Sequence, residues 1–226
     1  MEFRYLGQSG FSVILGGKHI VFDPFITSNP LANLIDADSI EADYILLSHG
    51  HFDHVEDAVQ IAKRTGAKVI TNPEICNWLA QQGITNLHEL NHGAPVPFEF
   101  GMVRAVNAIH SSSLPNGSYG GNPMGFVITS NETNFYYSGD TALTMDMQLI
   151  PKFTSLAFAI LPIGGNYTMD PADAIIASDF IKCNTIIGVH YNTFDFIKID
   201  PLKAIADFAE AGKSLLLPRV GEWLEL

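Results

Sequence analysis

The stretch Tyr44-Ile45-Leu46-Leu47-Ser48-His49-Gly50-His51-Phe52-Asp53-His54 decides the reading of this chain. Its first four residues are continuously apolar and then give way to polar ones, as in a strand buried on both faces. The next residues place four metal-capable side chains directly after that strand, where α/β folds carry their ligands. The chain has 8 His in 226 residues, and at its own Asp content this arrangement would arise by chance in roughly 6 of 10,000 such sequences. A polar loop is therefore the weaker reading. His49 and His51, two apart on extended backbone, project to the same side and can chelate one cation. Asp53 and His54 then fall at a helix start, which aims them at a point beside the first, so the hexapeptide can serve two metals a few Å apart.

Upstream, β-type runs at Glu2 to Leu6, Phe11 to Leu15 and His19 to Asp23 predict an antiparallel meander, with Gly16-Gly17 as one turn. Downstream, a helix is expected from Asp53, on which Val55, Ala58, Val59, Ala62 and, a turn back, His54 share a face. Further helices are expected at Pro73 to Gln82, Pro171 to Lys182 and Pro201 to Ala211, capped by Asn72, Asp170 and Asp200. Strands are expected at Lys68 to Thr71, within Val96 to Ile109, and at Gly125 to Thr129, Asn134 to Tyr137, Leu156 to Leu161, Thr185 to Val189 and Ser214 to Leu217. The order, β-rich then βα units, twice over, predicts an α/β four-layer αβ/βα sandwich: two mixed β-sheets with helices outside both, in one domain over 1–226.

Composition narrows the function. With 47% apolar and 16% charged residues the chain is globular, and a net charge of -12 without a clustered basic face argues against nucleic acid as partner. No run of 18 apolar residues and no basic-then-apolar leader occurs, so no membrane partner is expected. Cys76 and Cys183 lack ligand-spaced neighbours and read as unpaired residues of a reducing, cytoplasmic compartment.

The His49 to His54 motif resembles the HxHxDH signature of the metallo-β-lactamase-fold superfamily, and the pattern continues over nearly the whole chain. Ala108-Ile109-His110, Ser138-Gly139-Asp140-Thr141 and Val189-His190-Tyr191 follow in family order, each after a β-type run. The resemblance implies that His49, His51 and His110 hold one metal, that Asp53, His54 and His190 hold a second, and that Asp140 bridges them. It further implies that Asp23 orients a ligand His by accepting its other ring N–H. The opening Leu6-Gly7-Gln8-Ser9-Gly10-Phe11 is similar to that of the UlaG-like, single-domain metal-dependent hydrolases, many of which have His where Gln8 stands. Asn166, Tyr167 and Thr168, after the tight Gly164-Gly165 turn, are candidate substrate contacts or a helix-entry loop. Ser111 to Pro123 is either an active-site loop or a surface excursion. His19, His88 and His92 fit no ligand slot.

Such a centre predicts a hydrolase with two divalent metal ions, zinc first, with manganese, iron or nickel compatible with the same donors. Two dications, the Asp53 and Asp140 carboxylates and a bridging hydroxide leave about one net positive charge, which favours anionic oxygen. The hydroxide would attack a small ester, lactone, amide or phosphodiester, with Asp53 orienting it or taking its proton. The substrate is expected to be a small molecule, anionic or ester-like, and a homo-oligomer is left open. The competing readings are a nuclease or phosphodiesterase acting on nucleic acid, a non-hydrolytic diiron redox enzyme, and a metal-binding protein without catalysis.

Overall fold

Two consecutive glycines with positive φ, Gly16 and Gly17, reverse the chain between β2 (Gly10–Leu15) and β3 (Lys18–Phe22), and β1 (Glu2–Gly7) pairs antiparallel with the other side of β2. The computed structural model describes residues 1–226. Beyond β3 the sheet grows by parallel pairing through β4 (Tyr44–Leu46), β5 (Lys68–Thr71) and β6 (Leu87–Glu89). Parallel neighbours need crossovers: the segment between β3 and β4 carries only a 3-10 turn (Ala37–Ser39), α1 (Phe52–Val55) and α2 (Ala58–Thr65) join β4 to β5, and α3 (Pro73–Gln81) joins β5 to β6.

The second sheet repeats this plan. β7 (Val96–Phe98), β8 (Gly101–Asn107), β9 (Met124–Thr129) and β10 (Asn134–Tyr137) are antiparallel, and β11 (Phe158–Pro162), β12 (Thr185–Val189) and β13 (Ser214–Leu216) then add in parallel. The crossovers are α4 (Ile150–Phe153), α5 (Pro171–Phe180) and α6 (Pro201–Glu210), and the last strand, β14 (Trp223–Glu225), returns to pair with β1. The spatial orders are β14-β1-β2-β3-β4-β5-β6 and β13-β12-β11-β10-β9-β8-β7.

Alternation along the strands builds the layers. Phe11, Val13, Ile20 and Phe22 face Phe126, Phe135, Tyr137 and Ile187 in an interior shared by both sheets. The opposite face of the first sheet, with Val21, Ile45 and Leu47, packs on Ile61, Ile75 and Leu79 of α2 and α3. Ala159, Leu161 and Ile186 of the second sheet pack on Ala174, Ala177 and Phe208 of α5 and α6. The expected four layers are the observed ones, and β4 is buried on both faces as its unbroken apolar run requires. The three Asx-Pro helix starts are capped as expected: Asn72 accepts from Ile75 N, Asp170 from Asp173 N, and Asp200 from Leu202 N and Lys203 N. Cys76 and Cys183 are buried and unlinked, and burial pushes the Cys76 thiol up to about 12. No helix is long and apolar enough to cross a membrane.

Three expectations change. The helix starting near Asp53 is two helices, because the side chains of Glu56 and Asp57 leave the helical pattern to bind the loop at 26–28. Asp57 Oδ2 accepts from Ile26 N at 2.6 Å and Thr27 N at 3.1 Å, and Glu56 Oε2 from Ser28 N at 3.0 Å. The β-rich run from Val96 folds back as the β7–β8 hairpin at Gly101. Strands β6 and β14 were not expected; each has three residues.

Phe22 marks the centre of the shared interior, stacked on Phe11 at 4.4 Å between ring centroids and edge-on to Tyr137 at 5.8 Å. Phe22→Ala should lower the unfolding free energy in urea titration by about 3–5 kcal/mol. Leu34→Ala, at a side chain 95% exposed, should shift it by no more than about 0.5 kcal/mol.

Candidate metal centre

Strands from both sheets deliver metal-capable side chains to one edge of the sandwich. Asp23 follows β3, His49 and His51 follow β4, and Asp53 and His54 form the first turn of α1. From the second sheet, His110 follows β8, Asp140 follows β10 and His190 follows β12. The backbone is tightly specified at these points. Gly139 has a φ of 61°, and a Cβ there would lie 2.7 Å from Met124 O and 3.0 Å from Ser48 Cβ, so only glycine lets β10 turn into Asp140 beside the β4 loop. Asp23 and His190 are non-glycine residues with φ of 41° and 54°, a conformation retained where surrounding bonds impose it. For His190 one such bond runs from its N–H to Gln8 O, 2.8 Å.

The seven proposed ligands converge. Ring nitrogens of His49, His51 and His110 form one group with donor atoms within 4.8 Å of one another, and Asp53, His54 and His190 form a second. Asp140 Oδ2 stands between them, 3.0 Å from His190 Nε2, 3.2 Å from His54 Nε2 and 3.7 Å from His110 Nε2. Donor atoms of Asp23, His49 and His54 also lie within 4.8 Å of one another, but the Asp23 carboxylate is already committed. Its Oδ1 accepts from Ser48 N at 2.7 Å, and its Oδ2 lies 2.5 Å from Ser48 Oγ, 2.6 Å from Tyr137 Oη and 2.8 Å from His54 Nδ1. That contact holds the Nδ1 proton of His54 toward Asp23 and turns Nε2 to the centre.

Electrostatics separate the two groups. Burial holds His49 well below the ordinary imidazole value, with His54 acting in the same direction, and burial likewise lowers His51 and His110. These three are neutral donors, the form a cation requires. Burial also opposes charge on His54, but Asp140, Asp53 and Asp23 together outweigh it and raise that imidazole well above its usual value. Burial alone would raise Asp140, yet His190 and His54 hold it well below the normal carboxylate range. The surroundings of His54 thus favour positive charge. His54 Nε2 is fully buried and faces Asp140 Oδ2 at 3.2 Å without a well-aligned hydrogen bond, and His190 presents its Nε2 to the same oxygen at 3.0 Å. A buried ring nitrogen directed into a ring of carboxylates without a bond of its own fits a metal ligand.

Gln8 belongs to this centre. It is fully buried, its Nε2 donates to Asp53 Oδ2 at 2.9 Å, its Oε1 has no partner, and its carbonyl accepts from Tyr5 Oη at 2.9 Å. Ser9 Oγ also reaches Asp140 Oδ1, at 3.3 Å. The signal for both was their place in the opening motif. Of the candidate substrate contacts, Tyr167 lines the cavity over the centre, whereas Asn166 and Thr168 do not. Ser111 lines it too, and Ser112 Oγ accepts from Gly50 N at 3.1 Å, which ties the 111–123 loop to the motif. His19, His88 and His92 stand apart, beside Glu41, Phe98 and the Pro123 carbonyl respectively.

Residues 18–191 match a family model described as a beta-lactamase superfamily domain. The chain is 53% identical, over the full length of both proteins, to a UPF0173 metal-dependent hydrolase of Flavobacterium johnsoniae. It superposes with a TM-score of 0.89 on Igni18, a metallo hydrolase of Ignicoccus hospitalis, at 33% identity and covering 100% of this chain and 98% of that one. An isothiocyanate hydrolase from Delia radicum gut bacteria gives a TM-score of 0.83 at 18% identity, covering 100% and 99%, a likeness of fold alone. Family, fold and the ring of histidines and carboxylates agree: the chain belongs to the metallo-β-lactamase superfamily, among its metal-dependent hydrolases.

Proposed function

We propose that residues 1–226 act as one domain that hydrolyses a small carbonyl or phosphoryl substrate at a dinuclear metal centre. His49, His51 and His110 would hold one divalent cation, Asp53, His54 and His190 the other, and Asp140 both. The observation that carries this is the position of Asp140 Oδ2, within 3.0–3.7 Å of ring nitrogens from both groups. Zinc suits these nitrogen and carboxylate donors, as do manganese, iron and nickel. A bound pair of such cations supplies a nucleophile of hydroxide strength near neutral pH and stabilises the oxyanion that develops on attack.

The remaining work falls to the chain. Asp53, with Oδ2 fixed by the Gln8 amide, is the proton acceptor; Asp23 keeps His54 in one tautomer and one orientation; Ser9 steadies the outer oxygen of Asp140. In hydrolysis of an ester the oxygen of water bonds to the acyl carbon, the acyl C–O bond breaks, and the departing alkoxide takes up the proton that Asp53 relays. Five histidines against two carboxylates in the ligand set favour hydrolytic over redox chemistry. The cavity is lined by no Lys or Arg, and this argues against a nucleic-acid substrate. Two buried, unlinked thiols fit a cytoplasmic setting.

Asp140→Ala should abolish hydrolysis and lose at least one metal by elemental analysis after reconstitution, since the change takes a ligand from both groups. His190→Ala should keep close to one metal per chain, on His49, His51 and His110, with residual activity. Both metals and ordinary turnover in Asp140→Ala would refute the bridging role. Asp23→Ala, which frees the His54 ring to rotate, should weaken metal affinity about 10–100-fold by chelator competition; unchanged affinity would show that the Asp23 bond has no part in ligation.

A further inference from the structure

The cavity above the centre has a volume of about 790 Å³, and its outer wall is aromatic: Phe52, Tyr167, Phe194 and Phe196. Three of these rings are well exposed, Phe52 at 52%, Tyr167 at 53% and Phe196 at 74%. Apolar area on this scale around one opening marks a binding surface. The rings are held in place. Phe25, fully buried, meets Phe52 edge-on at 5.6 Å and lies 6.2 Å from Phe194, and Tyr167 meets Phe196 at 6.5 Å. The loop that carries Phe194 and Phe196 is anchored by buried Ile197, whose carbonyl accepts from Asn192 N at 2.9 Å. It also packs against the loop after β11 so closely that a Cβ on Gly164 would lie 2.2 Å from His190 O and 2.8 Å from Ile197 Cβ. A wall fixed in this way needs little ordering when a ligand arrives.

The charge pattern indicates what the wall accepts. No Lys or Arg lines the cavity, and the one carboxylate on the outer rim, Asp195, is paired with Lys198 at 2.6 Å. Away from the metal ligands the lining offers only the hydroxyls of Ser111, Tyr167 and Thr193 and no cationic side chain to pair with an anionic substrate group. We propose that the substrate is an uncharged ester or lactone whose alkyl chain or aromatic ring seats on Phe52, Tyr167, Phe194 and Phe196 while its carbonyl faces the metal centre. This rests on the hydrolase reading above and refines it: the preference for anionic oxygen applies to the reacting group, and the flanking portion is apolar.

The test is a binding ladder of acetohydroxamate, hexanohydroxamate and octanohydroxamate on the metal-loaded protein by calorimetry, run beside p-nitrophenyl acetate, hexanoate and octanoate and bis(p-nitrophenyl) phosphate as substrates. The Kd should fall at least about tenfold from the two-carbon to the eight-carbon hydroxamate, and kcat/KM should rise in parallel through KM. In Phe194→Ser/Phe196→Ser both gains should shrink to less than about threefold; Phe196→Ser alone, at the most exposed ring, should lose part of the gain should the double variant not fold. Turnover of esters with a flat hydroxamate ladder, or a ladder unchanged in the variants, overturns the apolar seat, and preference for the anionic phosphodiester over the octanoate overturns the uncharged ester; each leaves the hydrolase reading standing. A steep ladder abolished in the variants, without turnover of any ester, upholds the apolar seat and overturns ester hydrolysis.

Discussion

The carboxylate of Asp23 ties the molecule together. It sits fully buried at the end of β3 and is met by Ser48 from the β4 loop, Tyr137 from β10 in the opposite sheet and His54 from α1. A buried charge persists only when its lone pairs are occupied, and these donors come from both sheets and from the helix that carries two proposed ligands. The same group therefore helps to hold the sheets in register at this edge and fixes the tautomer of His54. Because both its oxygens are engaged by these donors, Asp23 serves as a support, and Asp53 and Asp140 are the carboxylates left for the proposed centre.

From that clamp the architecture explains how distant residues meet. Each sheet runs antiparallel and then parallel, and parallel strands end at a common edge. His110, Asp140 and His190 thereby arrive opposite the hexapeptide although as many as 141 positions separate His49 from His190. The shared aromatic interior beneath, with Phe11, Phe22, Phe126 and Tyr137, gives this polar edge a rigid floor. Three neutral imidazoles on one side and the His54–Asp140 pair on the other make a site with donors ready and with a deficit of positive charge.

Much of this was legible in the residues. The unbroken run Tyr44 to Leu47 announced a strand buried on both faces, and Asn72, Asp170 and Asp200 before proline marked three helix starts. The hexapeptide pointed to the centre, and the family likeness supplied His110, Asp140 and His190, which spacing alone left as ordinary turn or surface residues. What was illegible depends on distant partners. β14 exists because Trp223 and Leu224 find Arg4 and Phe3 across the whole chain, and β6 has only three partly exposed residues on which to show a pattern. The break between α1 and α2 comes from Asp57 serving the backbone of Ile26 and Thr27, which helical periodicity cannot reveal. Gln8 looked like a departure; its amide proves to reach Asp53. Asn166 and Thr168 shared a loop with Tyr167, but only the Tyr167 ring extends into the cavity.

The central claim is that the site would hold two cations, one on each group of ligands, with Asp140 serving both. Anomalous diffraction at the metal edge from crystals of the reconstituted protein tests it most directly. Two peaks about 3.5–4 Å apart, one beside His49, His51 and His110 and the other beside Asp53, His54 and His190, with Asp140 between them, are the expected result. A single peak at full metal loading, or two peaks that Asp140 does not join, would contradict it.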